Sequence, residues 1–146
     1  MTIIYLSIDQ AIEVHRKTVI ISGGGSQGIL NTDLLESCLQ HIQNDDYYPT
    51  FEDKLTHLFF CANKFHCFED GNKRIAIALG AQFLLLNGYV FVGGRFIRMM
   101  ENISYHVADG SIGKKLLQEI ISAIINSEDE DEELKLKILQ AISDNK

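Results

Sequence analysis

The sequence predicts an all-α fold, a compact helical bundle with at most one small β-hairpin. Along most of the 146 residues, apolar side chains recur at the three- and four-residue spacing that marks one face of a helix. Residues 72–86 are apolar on nearly every side, which is typical of a helix at the centre of a core. The single proline and the eleven glycines suit long helices separated by a few sharp breaks.

The first helix is predicted to begin at a capping box. Ser7 would cap the helix, and Gln10, three residues later, would reach back to it. The helix would end near Ile20, before the glycine-rich stretch 22–28. That stretch lacks the lysine and the hydroxyl residue of a P-loop, and it follows a helix instead of a strand. We therefore interpret it as a connector, with a direct role in ligand binding as the weaker alternative.

The second and third helices are predicted on either side of a polar stretch. Asn31 or Thr32 can cap the second helix. Its inward-facing residues are predicted to be Leu34, Leu35, Cys38, Leu39 and Ile42. Residues 43–50 are polar and contain Pro49, which indicates a loop or an extended flap. The apolar spacing then predicts a third helix over residues 51–65.

The apolar helix that follows is expected to stop at Asn87-Gly88, because glycine commonly ends helices. The next four residues, 89–92, are Tyr-Val-Phe-Val and predict a short strand. Two further helices are predicted to complete the bundle, over residues 95–108 and 112–125. Ser111 would cap the last of them.

The composition is acidic, with a net charge of −7 and a pI near 5.1. Many of the acidic residues crowd into residues 127–133, and the rest of the chain is near neutral. This balance argues against a nucleic-acid partner, which would normally select a basic stripe. We divide the sequence into a domain over residues 1–126 and an acidic C-terminal amphipathic helix or tail over residues 127–146.

The chain is expected to be cytoplasmic, without a membrane partner. Its N-terminus lacks the basic region and long apolar stretch of a secretory signal. No apolar run approaches the ~18 residues that read as a membrane-spanning helix. Three cysteines without CxxC spacing, Cys38, Cys61 and Cys67, favour free thiols in a reducing compartment.

Residues 66–74, His-Cys-Phe-Glu-Asp-Gly-Asn-Lys-Arg, concentrate chemically capable side chains between two apolar helices. A helix N-terminus that follows a glycine, here Gly71, is a ready anion site. Lys73 and Arg74 lie in the first turn, where the helix dipole disfavours cations, so their position indicates a function. Two cations beside backbone amides suit a polyphosphate, which Arg74 can bind through two hydrogen bonds.

Asp70 and His66 complete this hypothetical site. Asp70 would hold Mg²⁺ against the phosphate oxygens, and His66 would act as general base, because an ordinary histidine pKa is about 6.5. Phe68 would anchor the loop in the core. Each residue alone has an ordinary alternative as a cap, a turn or solvated surface, and only their conjunction points to chemistry. A zinc site at Cys61, His66 and Cys67 is disfavoured because no second ligand pair has workable spacing.

Residues 66–76 resemble the Fic/Doc signature H-x-F-x-[DE]-[GA]-N-[GK]-R. Similarity to the death-on-curing (Doc) branch extends over residues 5–125, in which His15, a Gly-Gly loop and the later helices occur in the same order. The resemblance implies a compact Fic-type bundle. It also implies that part of a nucleotide, AMP or a phosphate, is transferred to a protein hydroxyl, with ATP as co-substrate and Mg²⁺ as cofactor.

The resemblance implies a role for each residue of the motif. His66 would be the catalytic base, Asp70 the Mg²⁺ ligand and Phe68 the core anchor. The nucleotide and phosphate would be bound by Glu69, Gly71, Asn72, Lys73 and Arg74.

Two motif positions depart from the AMP-transferring members, which have proline and glycine where this chain has Cys67 and Lys73. Lys73 resembles the Doc branch, a kinase of toxin–antitoxin pairs, whereas Gly71 is typical of AMP transferases. We favour phosphate transfer from ATP, with AMP transfer as the alternative. A catalytically silent domain that binds a nucleotide or an antitoxin is the second alternative.

Regulation and partners are also inferred from the resemblance. The inhibitory pattern [ST]-x-x-x-E-[GN] of many Fic proteins is absent, and residues 127–131 come nearest to it. This favours a separate antitoxin that folds on binding. The acidic tail would be an amphipathic helix that packs on the domain or dimerises, so the chain could form a homo-oligomer. In the rival view, the tail would fold back onto Arg74.

The target would be a protein with an acceptor hydroxyl, and the Doc branch suggests a translation factor. By resemblance, Tyr47 and Tyr48 fall in a flap that would hold an extended target segment by strand-like pairing. An ordinary loop with half-buried tyrosines is an equally weighted alternative.

Overall fold

The computed structural model describes residues 2–21, 32–64, 72–126 and 132–144. These ranges form seven α-helices and no β-strand, which confirms the predicted all-α class. The helices are α1 (Ile8–Ile21), α2 (Asp33–His41), α3 (Phe51–Lys64), α4 (Asn72–Leu86), α5 (Val90–Ala108), α6 (Lys114–Ile125) and α7 (Glu132–Asp144).

The capping box predicted for α1 is confirmed. The backbone N–H of Ser7 donates to Oε1 of Gln10 at 2.9 Å, and the backbone N–H of Gln10 donates to Oγ of Ser7 at 3.1 Å. Ala11 and His15 lie one turn apart and are both buried, so this face of α1 packs on the core.

Helix α4 occupies the centre of the bundle and packs against α1, α3 and α5. Phe83 of α4 stacks on Phe51 of α3 with ring centroids 4.8 Å apart, and Phe59 of α3 meets the edge of Phe96 of α5 at 5.7 Å. A Cβ at Gly80 would lie 2.6 Å from the Phe96 ring. The close approach of α4 and α5 therefore requires glycine at this position.

The predicted end of α4 is also confirmed. Gly88 has φ of 89°, and the N–H of Tyr89 donates to the carbonyl of Leu84 at 3.0 Å, which closes the helix in a Schellman motif. Asn87 then joins this end to the N-terminal segment. Its Oδ1 accepts from the N–H of Ile4 at 2.8 Å, and its Nδ2 donates to the Ile4 carbonyl at 2.9 Å.

Although α4 is strongly apolar, it contains 15 residues, fewer than the ~20 that a membrane-spanning helix needs. None of the helices in the described ranges combines the length and the apolar character needed to cross a membrane. The apolar character of α4 is explained by its contacts with three other helices.

The strand predicted over residues 89–92 is wrong, because α5 already begins at Val90. Val and Phe favour strands only where a neighbouring strand can pair with them, and the described residues contain no strand. A helix satisfies the backbone locally instead. It also buries Gly93, where an added Cβ would lie 3.8 Å from Leu85 of α4, and it leaves Phe91 in solvent.

Two smaller predictions are also wrong. Leu34, expected to face inward, is 41% exposed. The buried face of α2 and of the residue that follows it is formed instead by Leu35, Cys38, Leu39 and Ile42. Ser111 does not cap α6, which begins at Lys114 with Gly113 before it. Ser111 instead lies in the preceding turn, where its N–H donates to Oδ1 of Asp109 at 2.8 Å. For α2, Thr32 makes no capping hydrogen bond through its side chain, and the alternative cap Asn31 lies outside the described residues, so the cap of α2 stays a prediction.

Helix α7 packs against α6. Leu134 is buried, and Lys137 makes an ion pair of 2.8 Å with Glu119 of α6 and a longer one of 3.7 Å with Glu133. The C-terminal residues that are described thus form a packed amphipathic helix. The division of the chain after residue 126 stays a prediction.

Candidate active site at the junction of α3 and α4

The signature segment connects two helices that pack against each other. Helix α3 ends at Lys64 and α4 begins at Asn72, so both ends of the segment are placed. Five of the predicted site residues lie outside the described residues: His66, Phe68, Glu69, Asp70 and Gly71. Their roles stay predictions, and the structure defines the framework that carries them.

The first turn of α4 adjoins the core directly. Asn72, Lys73 and Arg74 form this turn, and of the three side chains only that of Arg74 is described, as half-buried. Ile75 and Ala76 follow at once and are 1% and 0% exposed. Their burial holds the N-terminus of α4, whose first backbone N–H groups have no acceptor within the helix and lie toward the connection.

The last turn of α3 is held by a buried polar pair that the sequence analysis missed. Asn63 donates from Nδ2 to the Phe59 carbonyl at 2.9 Å and accepts at Oδ1 from the Ser104 hydroxyl at 2.6 Å. Asn63 and Ser104 are both buried. Asn63 follows Phe59 by four residues on the apolar face of α3, and a polar residue at such a position was the available signal.

Positive charge lies at both ends of the connection. Lys64, the last residue of α3, has its Nζ 5.9 Å above the ring of Phe60, and Arg74 lies on the first turn of α4. Lys64 also acts on Asp109. The pKa of Asp109 is lowered mainly by hydrogen bonds from Ser111 and to a smaller extent by the charge of Lys64. Arg74 adds a positive charge to the N-terminus of α4, and the cation and the helix dipole together favour anions there.

The two tyrosines of the predicted flap have different surroundings. Tyr47 is 78% exposed, whereas Tyr48 is half-buried with its ring centroid 4.5 Å from that of His57. Both lie in a turn region between α2 and α3, where no strand is formed. Tyr47 could therefore contact a partner directly, and Tyr48 contributes to packing.

Cys61 lies in a cluster with Cys38 of α2 and His57 of α3. The neighbouring Cys38 thiol lowers the pKa of the Cys61 thiol most. Burial raises it, and contacts with His57 and the nearby Lys114 lower it further, to about 5. In the sequence, Cys61 lies closest of the three to the signature segment, and nothing there indicates its contacts with Cys38 and His57. Cys38 and Cys61 are 23 positions apart, so sequence spacing carries no signal for this contact.

Cavities lined by described residues border the bundle. A cavity of about 620 Å³ lies among α1, α4 and α5, and its wall includes the exposed apolar residues Leu85 and Ile97 together with Gln82 and Lys17. A second cavity, of about 380 Å³, lies beside the turn before α3. It is lined by Tyr47, Tyr48, Asp53, Thr56, Lys114, Lys115 and Gln118.

A model of the Fic/DOC family matches residues 5–84 of the chain, which is more than half of its length. The matched region runs from the segment before α1 into the last turn of α4, and it includes the whole signature segment. No curated protein and no solved structure matches the chain significantly.

Proposed function

The chain belongs to the Fic/DOC family, and we propose that it is a Doc-like kinase that moves the γ-phosphate of ATP to a hydroxyl of a target protein. Members of this family generally transfer nucleotide-derived groups to proteins. The observation that carries the proposal is the signature in residues 66–74, which lies inside the matched region.

Phosphate binding would take place at the N-terminus of α4. Gly71 permits close approach of a phosphate to the backbone, and the amides of the first turn point toward it. Arg74 lies in this turn on a helix whose next residues are buried, so its backbone is already held in place when the side chain binds phosphate oxygens. Glu69, Asn72 and Lys73 would make the remaining nucleotide contacts.

His66 would begin the transfer by taking the proton of the target hydroxyl. The hydroxyl oxygen then forms a bond to the γ-phosphorus while the bond from that phosphorus to the β,γ-bridging oxygen breaks. The products are the phosphorylated protein and ADP, and the proton stays on His66 until solvent removes it. Phe68 would hold the loop in the core, so that His66 keeps its position relative to α4.

Asp70 would hold Mg²⁺ together with phosphate oxygens. A single carboxylate plus phosphate oxygens is the donor set that Mg²⁺ prefers at nucleotide sites. When bound, the ion neutralises phosphate charge.

Transfer of AMP is the second candidate reaction. The lysine at position 73 favours the kinase, because its side chain would occupy space that glycine leaves for the α-phosphate. Gly71 favours AMP transfer, because it is typical of AMP transferases. The two reactions differ in the phosphorus atom of ATP that is attacked. ATP labelled at one phosphate or the other therefore distinguishes them directly.

The test is incubation of the protein with cell extract, Mg²⁺ and ATP labelled either at the γ- or at the α-phosphate. Protein label from γ-labelled ATP alone supports the kinase. Label from α-labelled ATP identifies an AMP transferase and overturns the kinase. No protein label from either position, together with ATP binding by calorimetry, identifies the catalytically silent domain and overturns both reactions.

A protein target and a separate antitoxin are the partners that we propose. The exposed ring of Tyr47 and the exposed apolar residues Leu85 and Ile97 in a cavity wall support contacts with other proteins. Co-expression with the product of an adjacent antitoxin gene should relieve growth inhibition by this chain. A chain that does not inhibit growth when expressed alone would overturn the toxin role.

A further inference from the structure

Cys38, His57 and Cys61 bring two thiols and an imidazole together between α2 and α3. One ligand atom from each residue lies within 4.8 Å of the other two. Cys38 and Cys61 are buried, at 1% and 2% exposure, and His57 is half-buried. Nothing in the proposed transfer reaction uses these three side chains.

The spacing of the cluster matches that of ligands around one metal ion. Sulfur and nitrogen bound at 2.3 Å and 2.0–2.1 Å to one three-coordinate ion, with about 120° between the bonds, lie about 3.8 Å apart. The Sγ atom of Cys61 is 3.5 Å from Nε2 of His57 and 3.8 Å from Nδ1. The ligand atom of Cys38 lies within 4.8 Å of both, so one ion could bind all three residues with only a small movement of α2 relative to α3.

The number of ligands and the local charge select the kind of ion. Zinc in structural sites almost always takes four ligands, whereas three are present among the described residues. Two thiolates with a divalent ion would be neutral and would face the ammonium of Lys114, which lies 2.6 Å from Nδ1 of His57. Two thiolates with a monovalent ion would carry one negative charge, which Lys114 compensates.

The surroundings also provide a route for the ion. Tyr48 and Lys114 both contact His57, with the Tyr48 hydroxyl 3.3 Å from each ring nitrogen. The same two residues line the cavity of about 380 Å³. Movement of the flexible Lys114 side chain would open His57 to that cavity.

We propose that Cys38, His57 and Cys61 form a three-coordinate site for a soft monovalent cation of the Cu⁺ class. Thiolates select such ions over hard cations. Both cysteines would bind the ion as thiolates. The ion would bond to Nε2 of His57, the ring proton would lie on Nδ1, and Lys114 would donate to a thiolate instead of to the ring.

The first experiment uses the reduced full chain and Cu⁺ buffered by the chromophoric chelator bicinchoninate. We expect the protein to withdraw one equivalent of Cu⁺. Cys38→Ser, Cys61→Ser and His57→Gln should each weaken binding more than about 100-fold, beyond the 10–100-fold loss typical of an outer-shell change. Cys67→Ser and His106→Gln are the controls. They remove a thiol and an imidazole elsewhere in the sequence and should bind Cu⁺ as tightly as the wild type.

The second experiment needs no variant, so it is independent of any folding defect. One equivalent of Ag⁺ is added to the native chain, and thiols are then alkylated and located by peptide mass spectrometry. Alkylation is continued until the buried Cys38 and Cys61 are also labelled in the Ag⁺-free chain. Loss of their labelling in the presence of Ag⁺, with continued labelling of Cys67, supports the site. Protection of Cys67 alone, no withdrawal of Cu⁺, or tighter binding of Zn²⁺ than of Cu⁺ overturns it.

Discussion

The hydroxyl of Ser104 donates a 2.6 Å hydrogen bond to Oδ1 of Asn63, and this buried contact joins α5 to the last turn of α3. Asn63 lies three residues before His66 in the sequence. The contact therefore fixes the point from which the signature segment departs. Since both residues are buried, neither can exchange this partner for water without local opening.

Ser104→Ala should lower the free energy of unfolding by about 1–3 kcal/mol, because it leaves a buried amide oxygen without its donor. Urea denaturation measures the change. Ser143→Ala, at an exposed position of α7, is the matched control and should leave the midpoint nearly unchanged. Equal midpoints for the two variants would show that the contact contributes no stability.

Gly80→Ala should destabilise the protein by about 1–3 kcal/mol through overpacking. The new methyl group would lie 2.6 Å from the ring of Phe96, which is fully buried and cannot easily move. Gly94→Ala is the control, since that glycine is also helical but its nearest neighbour is the flexible end of Arg98 at 3.5 Å. Gly94→Ala should be neutral or stabilising, and a neutral Gly80→Ala in thermal unfolding would contradict the close packing of α4 and α5.

Lys54→Ala should lower the free energy of unfolding by about 2–4 kcal/mol. Lys54 is fully buried, and its ammonium donates to the Ile42 carbonyl and to Oδ1 of Asp45, each at 2.7 Å. The substitution removes the buried side-chain stem and leaves the carbonyl of Ile42 without this donor. Lys135→Ala, on the exposed surface of α7, provides the comparison and should have little effect on chemical denaturation.

Arg74→Ala should weaken ATP binding by about tenfold or more, because a charge-assisted phosphate contact is lost. Arg98→Ala removes the same charge from an exposed position of α5 and should leave the affinity unchanged. Calorimetry on both variants separates a local contact from a general charge effect. Equal losses would contradict the placement of phosphate at the N-terminus of α4.

Local signals in the sequence predicted much of the fold. The capping box at Ser7 and the glycine stop at Gly88 each depend on contacts within a few residues, and both are confirmed. The start of α5 at Val90 could not be predicted in this way. Its strand-like composition is overridden by packing against α4, which involves residues distant in the sequence.

For the candidate site, the sequence predicted the signature segment but not the contacts of the helices beside it. The signature in residues 66–74 is contiguous, so the family could be inferred from the sequence alone. The contacts that join α3 to α5 and α6 are made by residues that lie far apart in the sequence. Asn63 and Ser104 are 41 positions apart, and His57 and Lys114 are 57 positions apart. No periodic pattern encodes such pairs, and only the folded arrangement of α3, α5 and α6 brings them together.

The role of His66 is measured by comparing the transfer of label from γ-labelled ATP to protein by the wild type and by His66→Ala. We expect the variant to transfer at least about 100-fold less label, because it lacks the general base. Its circular dichroism and thermal midpoint should match those of the wild type. Label transfer by a folded His66→Ala at the wild-type rate would contradict the assignment of the reaction to this segment.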